Sequence, residues 1–532
     1  MTEEDVRAAL AWHVPEFFNF ATDVVDHFAE DRGRIALYWE DESGATARFT
    51  FWDLSRASQR LANALRGLGV QRGDPVMVML PRIPEWQIAA LAVLRLGALL
   101  IPCTKSLRTK DIRYRATHSG ARALITTAEN IEPVEAARGD CPDLHRCICV
   151  GGQAPGWHAF DALLSGATAQ FDPVQTRSDE PAIVFYTSGT TKDPKAVLHT
   201  HAYTYAHRYT GRHWLDLRAN DLHWTTSDTG WAKAAYGVLY GPWHTGTPVF
   251  MYNGRFEPQK ELQLLERYEV SVFCAPPTEY RLLVKEDLSR YRLPKLRHCT
   301  GAGEPLNPEV IHQWQEAFGL TIHDGYGQTE SIVLVANVPG VPIRAGSMGK
   351  PFPGHDVRII GDDGRELPAN EIGDIAVHGR PPSLFREYWK NPEETRACFR
   401  GDWYVTGDRA YRDDDGYLWF VGRADDVIIS AGYRIGPFEV ESALLEHPAV
   451  VESAVVAKPH AERGAIVKAF VRLRDGVSGS DALVHELQEH VKRVTAPYKY
   501  PREIEFMTEL PKTVSGKIRR VELREREAAR AS

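Results

Sequence analysis

No stretch of this 532-residue chain is apolar for long enough to cross a bilayer. The longest apolar run, Ile88 to Ile101, is broken by Arg95 and Gly97 and falls short of the ~20 residues that span hydrocarbon. It reads as a buried helix running into a strand, and stable membrane insertion is not expected. The N-terminus, MTEEDVRAAL, has neither a basic segment followed by an apolar one nor an Arg/Ser-rich amphipathic pattern, so a cytosolic protein is expected. Charge of one sign is missing too: 71 acidic and 63 basic residues are interspersed, without the basic field that nonspecific nucleic-acid binding needs. Seven cysteines, an odd number, contain no CxxC pair, which fits reduced thiols better than a disulfide framework or a zinc site. Cys141, Cys147 and Cys149 cluster around His145 but without zinc spacing, and read as buried thiols. Internal repeats and low-complexity segments are absent, which sets solenoids and propellers aside.

What is present is a long alternation. From about residue 50, helical patterns such as DLSRASQRLANALRGLG alternate with short β-rich runs such as DPVMVML and ARALITT, the signature of βαβ units in largely parallel sheets. A chain of this length exceeds one hydrophobic core and divides into subdomains. After Val341, VRIIGDDGRELPANEIGDIAVHG places strands between Asp-Gly and Asn turns, as in a small antiparallel β-rich subdomain. YLWFVGRADDVIISAGYRIGPFEVESALLEHPAV then carries strand, charged turn, strand and a helix opening at Pro437. The boundary falls at Arg423 to Asp426, giving parts 1–424 and 425–532. Strands SAVVAKP and AFVRLR and the amphipathic helix DALVHELQEHVKRV make the second part α+β. The fold class is α/β, with a large multi-subdomain N-terminal domain (two βα sheets plus a small β-rich subdomain) and a smaller mobile α+β C-terminal domain. A charged turn between two bodies can absorb a hinge rotation.

PAIVFYTSGTTKDPK is a buried-type strand running into a loop of Thr, Ser and Gly closed by Lys195. Such a loop offers N–H groups and hydroxyls to phosphate oxygens. GxxxxGK[ST] is absent, which excludes the ordinary P-loop. Alone the loop is a turn former's composition, but GAGEP, DGYGQTE, YVTGD, GRADD, SAGYRIGP and PKTVSGKIRR follow it in order. Together these resemble the core motifs of the adenylate-forming superfamily of acyl-CoA synthetases, luciferases and peptide-synthetase adenylation domains, over nearly the whole chain. SDTGWAKAAYGVLYGPWHTG, GRADDVIISAGYRIGPFEVE and TAPYKYPREIEFMTELPKTVSGK look like the medium-chain acyl-CoA synthetase branch.

The resemblance implies an enzyme that joins a carboxylic acid to coenzyme A with ATP and Mg²⁺, through an acyl-adenylate. It assigns ATP and AMP contacts to Thr187, Ser188, Gly189, Thr190, Thr191, Lys195, Gly301, Ala302, Gly303, Glu304, Asp324, Gly325, Tyr326, Gly327, Gln328 and Thr329. Asp408 and Arg423 match the pair that grips the ribose hydroxyls, an ionised carboxylate being a strong acceptor for a diol. Glu330 matches the Mg²⁺ ligand, and Lys517 the mobile lysine of adenylation; with Thr329 these form the catalytic set. Coenzyme A contacts fall on Lys105, Ala431, Gly432, Tyr433, Arg434, Arg463, Lys492 and Tyr500. Trp231 and Gly327 border the acyl pocket, and Asp425 is the hinge residue. Aromatic residues between Trp231 and Tyr252 suggest an apolar tunnel rather than an acetate-sized pocket. Out of context, Glu330 reads as a helix-start carboxylate and Lys517 as a surface charge.

One departure stands out. Lys192 and Ala196 occupy positions where the family usually has glycine, so the loop must keep to dihedrals an L-residue allows. Lys192 is either an added phosphate contact or a solvated replacement. An aryl or short-chain acid ligase and a non-catalytic nucleotide-binding protein remain alternatives, as do monomer and homodimer.

Overall fold

The computed structural model describes residues 12–187, 194–431, 433–460, 463–512 and 518–531. Alternation of buried strands with helices produces two largely parallel sheets. The first holds eight strands, among them β1 (Pro75–Met79), β2 (Leu99–Pro102) and β3 (Pro181–Thr187). β3 returns antiparallel as Lys195–Thr200, so Lys195 opens a strand as well as closing the loop.

The second sheet holds nine strands. Its middle consists of β4 (His223–Thr225), β5 (Val249–Asn253), β6 (Val272–Ala275), β7 (His298–Ala302) and β8 (Ile322–Gly327), in spatial order β8-β7-β6-β4-β5 and all parallel. The hairpin Ile35–Asp41/Thr46–Thr50 completes one edge beside β5.

The expected buried helix forms over Pro84–Arg95 and runs into β2. Eleven of its residues are buried, because one core cluster contains side chains from both sheets, Val76 and Ile183 with Val249 and Val272. A helix covered on every side has no polar face to offer. Its one cation, Arg95, is buried and donates to Asp26 Oδ2 at 2.6 Å and Ser58 Oγ at 2.9 Å, as a desolvated charge requires.

The region after Val341 forms the expected antiparallel sheet, including β9 (Trp403–Arg412) paired with β10 (Leu418–Arg423). A turn follows at residues 424–426. The last part has a separate core between the sheet Val450–His460/Gly464–Leu473/Glu503–Phe506 and the helices Pro437–Leu445 and Asp481–Val494. Pro437 opens its helix, as its fixed φ favours.

Candidate active site

Ligands in parallel α/β sheets sit beyond the carboxyl ends of the strands. Here the carboxyl ends of both sheets converge on one cleft of about 1250 Å³. Arg82 follows β1, Thr104 follows β2, Thr187 ends β3, Thr226 follows β4, Phe256 follows β5, Glu279 follows β6, Gly303 follows β7 and Gly327 ends β8. Lys512, Ile518, Arg519 and Arg520 of the C-terminal part close the opposite side.

Described residues of GAGEP, DGYGQTE, YVTGD and GRADD meet in this cleft. Asp408 and Arg423 are direct cross-strand partners in β9 and β10, with Arg423 Nη1 3.9 Å from Asp408 Oδ1. Tyr326 Oη and Gln328 Nε2 each donate to Asp408 Oδ2 at 2.7 Å. Tyr404 Oη donates to Gln328 Oε1 at 2.9 Å, so the carboxylate is aimed by a hydrogen-bonded scaffold. Glu330 lies in a turn rather than at a helix start, and accepts from Tyr388 Oη at 2.7 Å. Burial pushes its carboxyl above the usual range, opposed by that hydrogen bond and by the charges of Lys195 and Arg423. The backbone at Thr329 is fixed by His199, whose Nε2 donates to the Thr329 carbonyl at 2.7 Å. Full burial lowers His199 to about 3 and keeps it neutral. Lys195 pairs with Glu394 and lies 5.1 Å from the centre of the Tyr388 ring.

Asp324, buried within β8, accepts from the Gly325 N–H at 3.0 Å. Desolvation raises its carboxyl to about 7. Gly303 has φ +104°, and a Cβ there would come 3.1 Å from Lys233 Nζ; a side chain at Gly327 would meet the Ile332 carbonyl at 2.5 Å. Ala302, Gly325 and half-buried Trp231 also line the cleft. Gly301, inside β7, is not part of its lining. Glu304 lines it but is held by Thr278 Oγ1 at 2.8 Å and Arg281 Nη2 at 2.9 Å.

Ser188, Gly189, Thr190, Thr191, Lys192, Gly432 and Lys517 lie outside the described residues. The other coenzyme A candidates are not among the residues lining the cleft. Lys105 is exposed and 3.2 Å from Glu129. Ala431, at φ +49°, donates its N–H to the Arg463 carbonyl at 3.0 Å, and exposed Tyr433, next to Arg434, stacks on Tyr498 at 4.4 Å. Lys492 lies 4.2 Å from the Tyr500 ring centre and 2.6 Å from Glu489. Asp425 sits 3.6 Å from Arg423 and 3.5 Å from Arg524. Sequence reasoning missed Tyr388, Glu394, His199, Lys233 and Glu279, all of which border or brace the site. Tyr388 and Glu394 stand in an aromatic–charged stretch, EYWKNPEET, that offered a signal; His199 offered none. Among the described residues no group of three or more His, Cys, Asp or Glu could hold a metal, so a divalent ion beside Glu330 would depend on phosphate oxygens.

This fold and cleft define a two-part nucleotide-binding α/β enzyme. The chain belongs to the AMP-binding enzyme family: the model of that family matches residues 25–389, and that of the AMP-binding enzyme C-terminal domain matches residues 439–517. Acyl-coenzyme A synthetase ACSM3, mitochondrial, of Mus musculus is 47% identical, covering 98% of this chain and 93% of that protein. Acyl-coenzyme A synthetase ACSM5, mitochondrial, of Homo sapiens is 46% identical, covering 97% and 91%. The crystal structure of the anthranilate CoA ligase AuaEII in complex with anthranoyl-AMP superposes with TM-score 0.91 at 32% identity, over all of both chains. A benzoate CoA ligase from Burkholderia xenovorans LB400 gives 0.85 at 30%, over 95% of this chain and 100% of that one. The names of the curated relatives overturn the cytosolic expectation, since those proteins are mitochondrial. Addresses are read from segments apart from the folded core, and the acidic first residues were no guide.

Proposed function

We propose that the chain is an AMP-forming acyl-CoA synthetase, converting a carboxylic acid, ATP and coenzyme A into acyl-CoA, AMP and diphosphate. The carrying observation is the shared cleft, in which Asp408–Arg423, Glu330 and Lys195 of the N-terminal part face Lys512 and Ile518 of the C-terminal part. Asp408 receives the ribose hydroxyls, with Arg423 beside it. Thr187, Lys195 and Thr329 contact the phosphates, and the glycines of the two loops after β7 and β8 admit the nucleotide closely. Glu330 would hold Mg²⁺, which when bound would supply positive charge against the phosphate oxygens. Glu330's hard oxygen and its Tyr388 partner suit that ion.

Lys517 supplies a cation to the anionic adenylation step. Parts 1–424 and 425–532 then rotate about Asp425, bringing Ala431, Gly432, Tyr433, Arg434, Arg463, Lys492, Tyr500 and Lys105 to coenzyme A. The position of the described ones outside the cleft in the present arrangement accords with a turn between the half-reactions. Medium-chain fatty acids are the proposed substrates, by likeness to the relatives. An aryl acid is the second reading, favoured by the likeness to the anthranilate and benzoate ligases and by Trp231 and Tyr236 in the wall.

Lys517→Ala should abolish diphosphate release from ATP while supplied acyl-AMP is still converted with coenzyme A. Equal loss of both steps overturns the assigned role. Absence of thioester from any acid, read by mass detection, overturns the function.

A further inference from the structure

Beside Gly303 the cleft has a polar wall whose residues are outside the nucleotide contacts named above. Arg82, Thr226, Lys233 and Glu279 line it. The Thr226 hydroxyl donates to Glu279, and Lys233 Nζ donates to the Ala302 carbonyl at 2.7 Å. Asp228, on the same wall, accepts from Gly230 N–H at 2.8 Å and Thr104 Oγ1 at 3.1 Å. Next to Glu279, Glu261 is 1% exposed, and its Oε2 has no hydrogen-bond partner among the described residues. A pocket for a plain hydrocarbon tail needs none of this, and a desolvated carboxyl left unsatisfied is costly.

Topology sets where this wall lies along the substrate. The acid's carboxylate reacts near Thr329 and Glu330, just past β8. Glu279 follows β6, two strands away, a separation of about 10 Å at the usual strand spacing. It therefore meets the end of the acid remote from the reacting carboxylate.

The charges narrow the chemistry. Arg82 and Lys233 place positive charge beside the carboxyl pair. Burial and the Glu304 charge raise Glu279 to about 7, against the Thr226 hydrogen bond and the charges of Lys233 and Arg82, and burial with the neighbouring Glu279 raises Glu261 well above the carboxylate range. A ligand ammonium would be repelled by Arg82 and Lys233, whereas a second carboxylate, which only accepts, could donate no hydrogen bond to Glu279 or Asp228. A hydroxyl carries no charge and donates one hydrogen bond while accepting others.

We propose that the pocket selects an acid bearing a hydroxyl group at its far end, received by Glu279 with Glu261 behind it and Lys233 beside it. This rests on the acyl-CoA synthetase reading and names the substrate class within it.

The test is kcat/KM for thioester formation with straight-chain acids and benzoates, each plain, hydroxylated or aminated at the far end. The hydroxylated acid should be preferred over its plain counterpart by about tenfold or more, because a site built to bond a hydroxyl rejects the analogue lacking it. Glu279→Leu should reduce that ratio by a similar factor, with thermal melting confirming the fold. If Glu279→Leu does not fold, Glu279→Gln, which fits the same space but turns an N–H donor toward Arg82 and Lys233, must lower the ratio. Equal use of plain and hydroxylated acids, a preference for the aminated ones, or an unchanged ratio in a folded variant overturns the proposal and leaves the ligase function standing. No thioester from any acid overturns both.

Discussion

At the residue scale the site depends on groups held in unusual states by their surroundings. Asp408 is buried yet stays a useful acceptor because Tyr326, Gln328 and Arg423 surround it. Asp408→Asn preserves shape but removes the charge that strengthens such bonds, each worth about 1.5–3 kcal/mol when ionised. It should raise the KM for ATP by about tenfold or more, measured by diphosphate release, with the melting temperature little changed. A KM unaltered in the folded variant removes Asp408 from the ribose site. The motif residues were legible one by one because each has an ordered local context. Their partners were not: Tyr388 is 58 positions from Glu330, and Glu394 is 199 from Lys195. No local pattern encodes a pairing made by two segments far apart in the chain.

At the element scale, strands and helices mostly follow from periodicity. The helix over Pro84–Arg95 and the strands of the C-terminal part fall where apolar spacing puts them. Less legible was the placement of Ile35–Asp41, which pairs with Val249–Asn253 across two hundred intervening residues; sheet order is set by packing, not by local sequence. The final helix, Arg520–Ala531, is tied down at its start by Arg520, whose Nε and Nη2 donate to Glu441 at 2.9 and 2.6 Å. Glu441 is 5% exposed, so loss of its partner leaves a buried unpaired charge. Arg520→Met should cost about 3 kcal/mol, read by chemical denaturation of the C-terminal part. The double variant with Glu441→Gln should recover part of it. No change in the single variant would show the pair to be idle.

At the scale of the whole molecule, buried histidines make the fold sensitive to acid. His199 and His223 fall to about 3, and His201, His244, His298 and His355 to about 4, each chiefly through desolvation. Their folded values lie below the ordinary 6.5, so the unfolded chain binds more protons in that window and stability falls as pH drops from 6.5 toward 4. Asp324 and Glu279, raised to about 7, and Glu261 and Glu330, also raised, act with the opposite sign but are fewer than these histidines. Melting temperature should therefore decline steadily from pH 6.5 to 4, followed by calorimetry at constant ionic strength; a flat profile contradicts the buried neutral state of these rings. The sequence by itself determined the α/β class, the order of the motifs and the types of group they bring, because these depend on local spacing and on residue chemistry. Only the tertiary structure decided that Lys233, Glu279 and Glu261 meet beside the cleft and that Asp408 is aimed by Tyr326 and Gln328. The first contacts exist because the parallel strands β4 and β6, distant in sequence, end side by side, and the second because the antiparallel β9 packs beside the end of β8; both placements are set by burial rather than by local spacing.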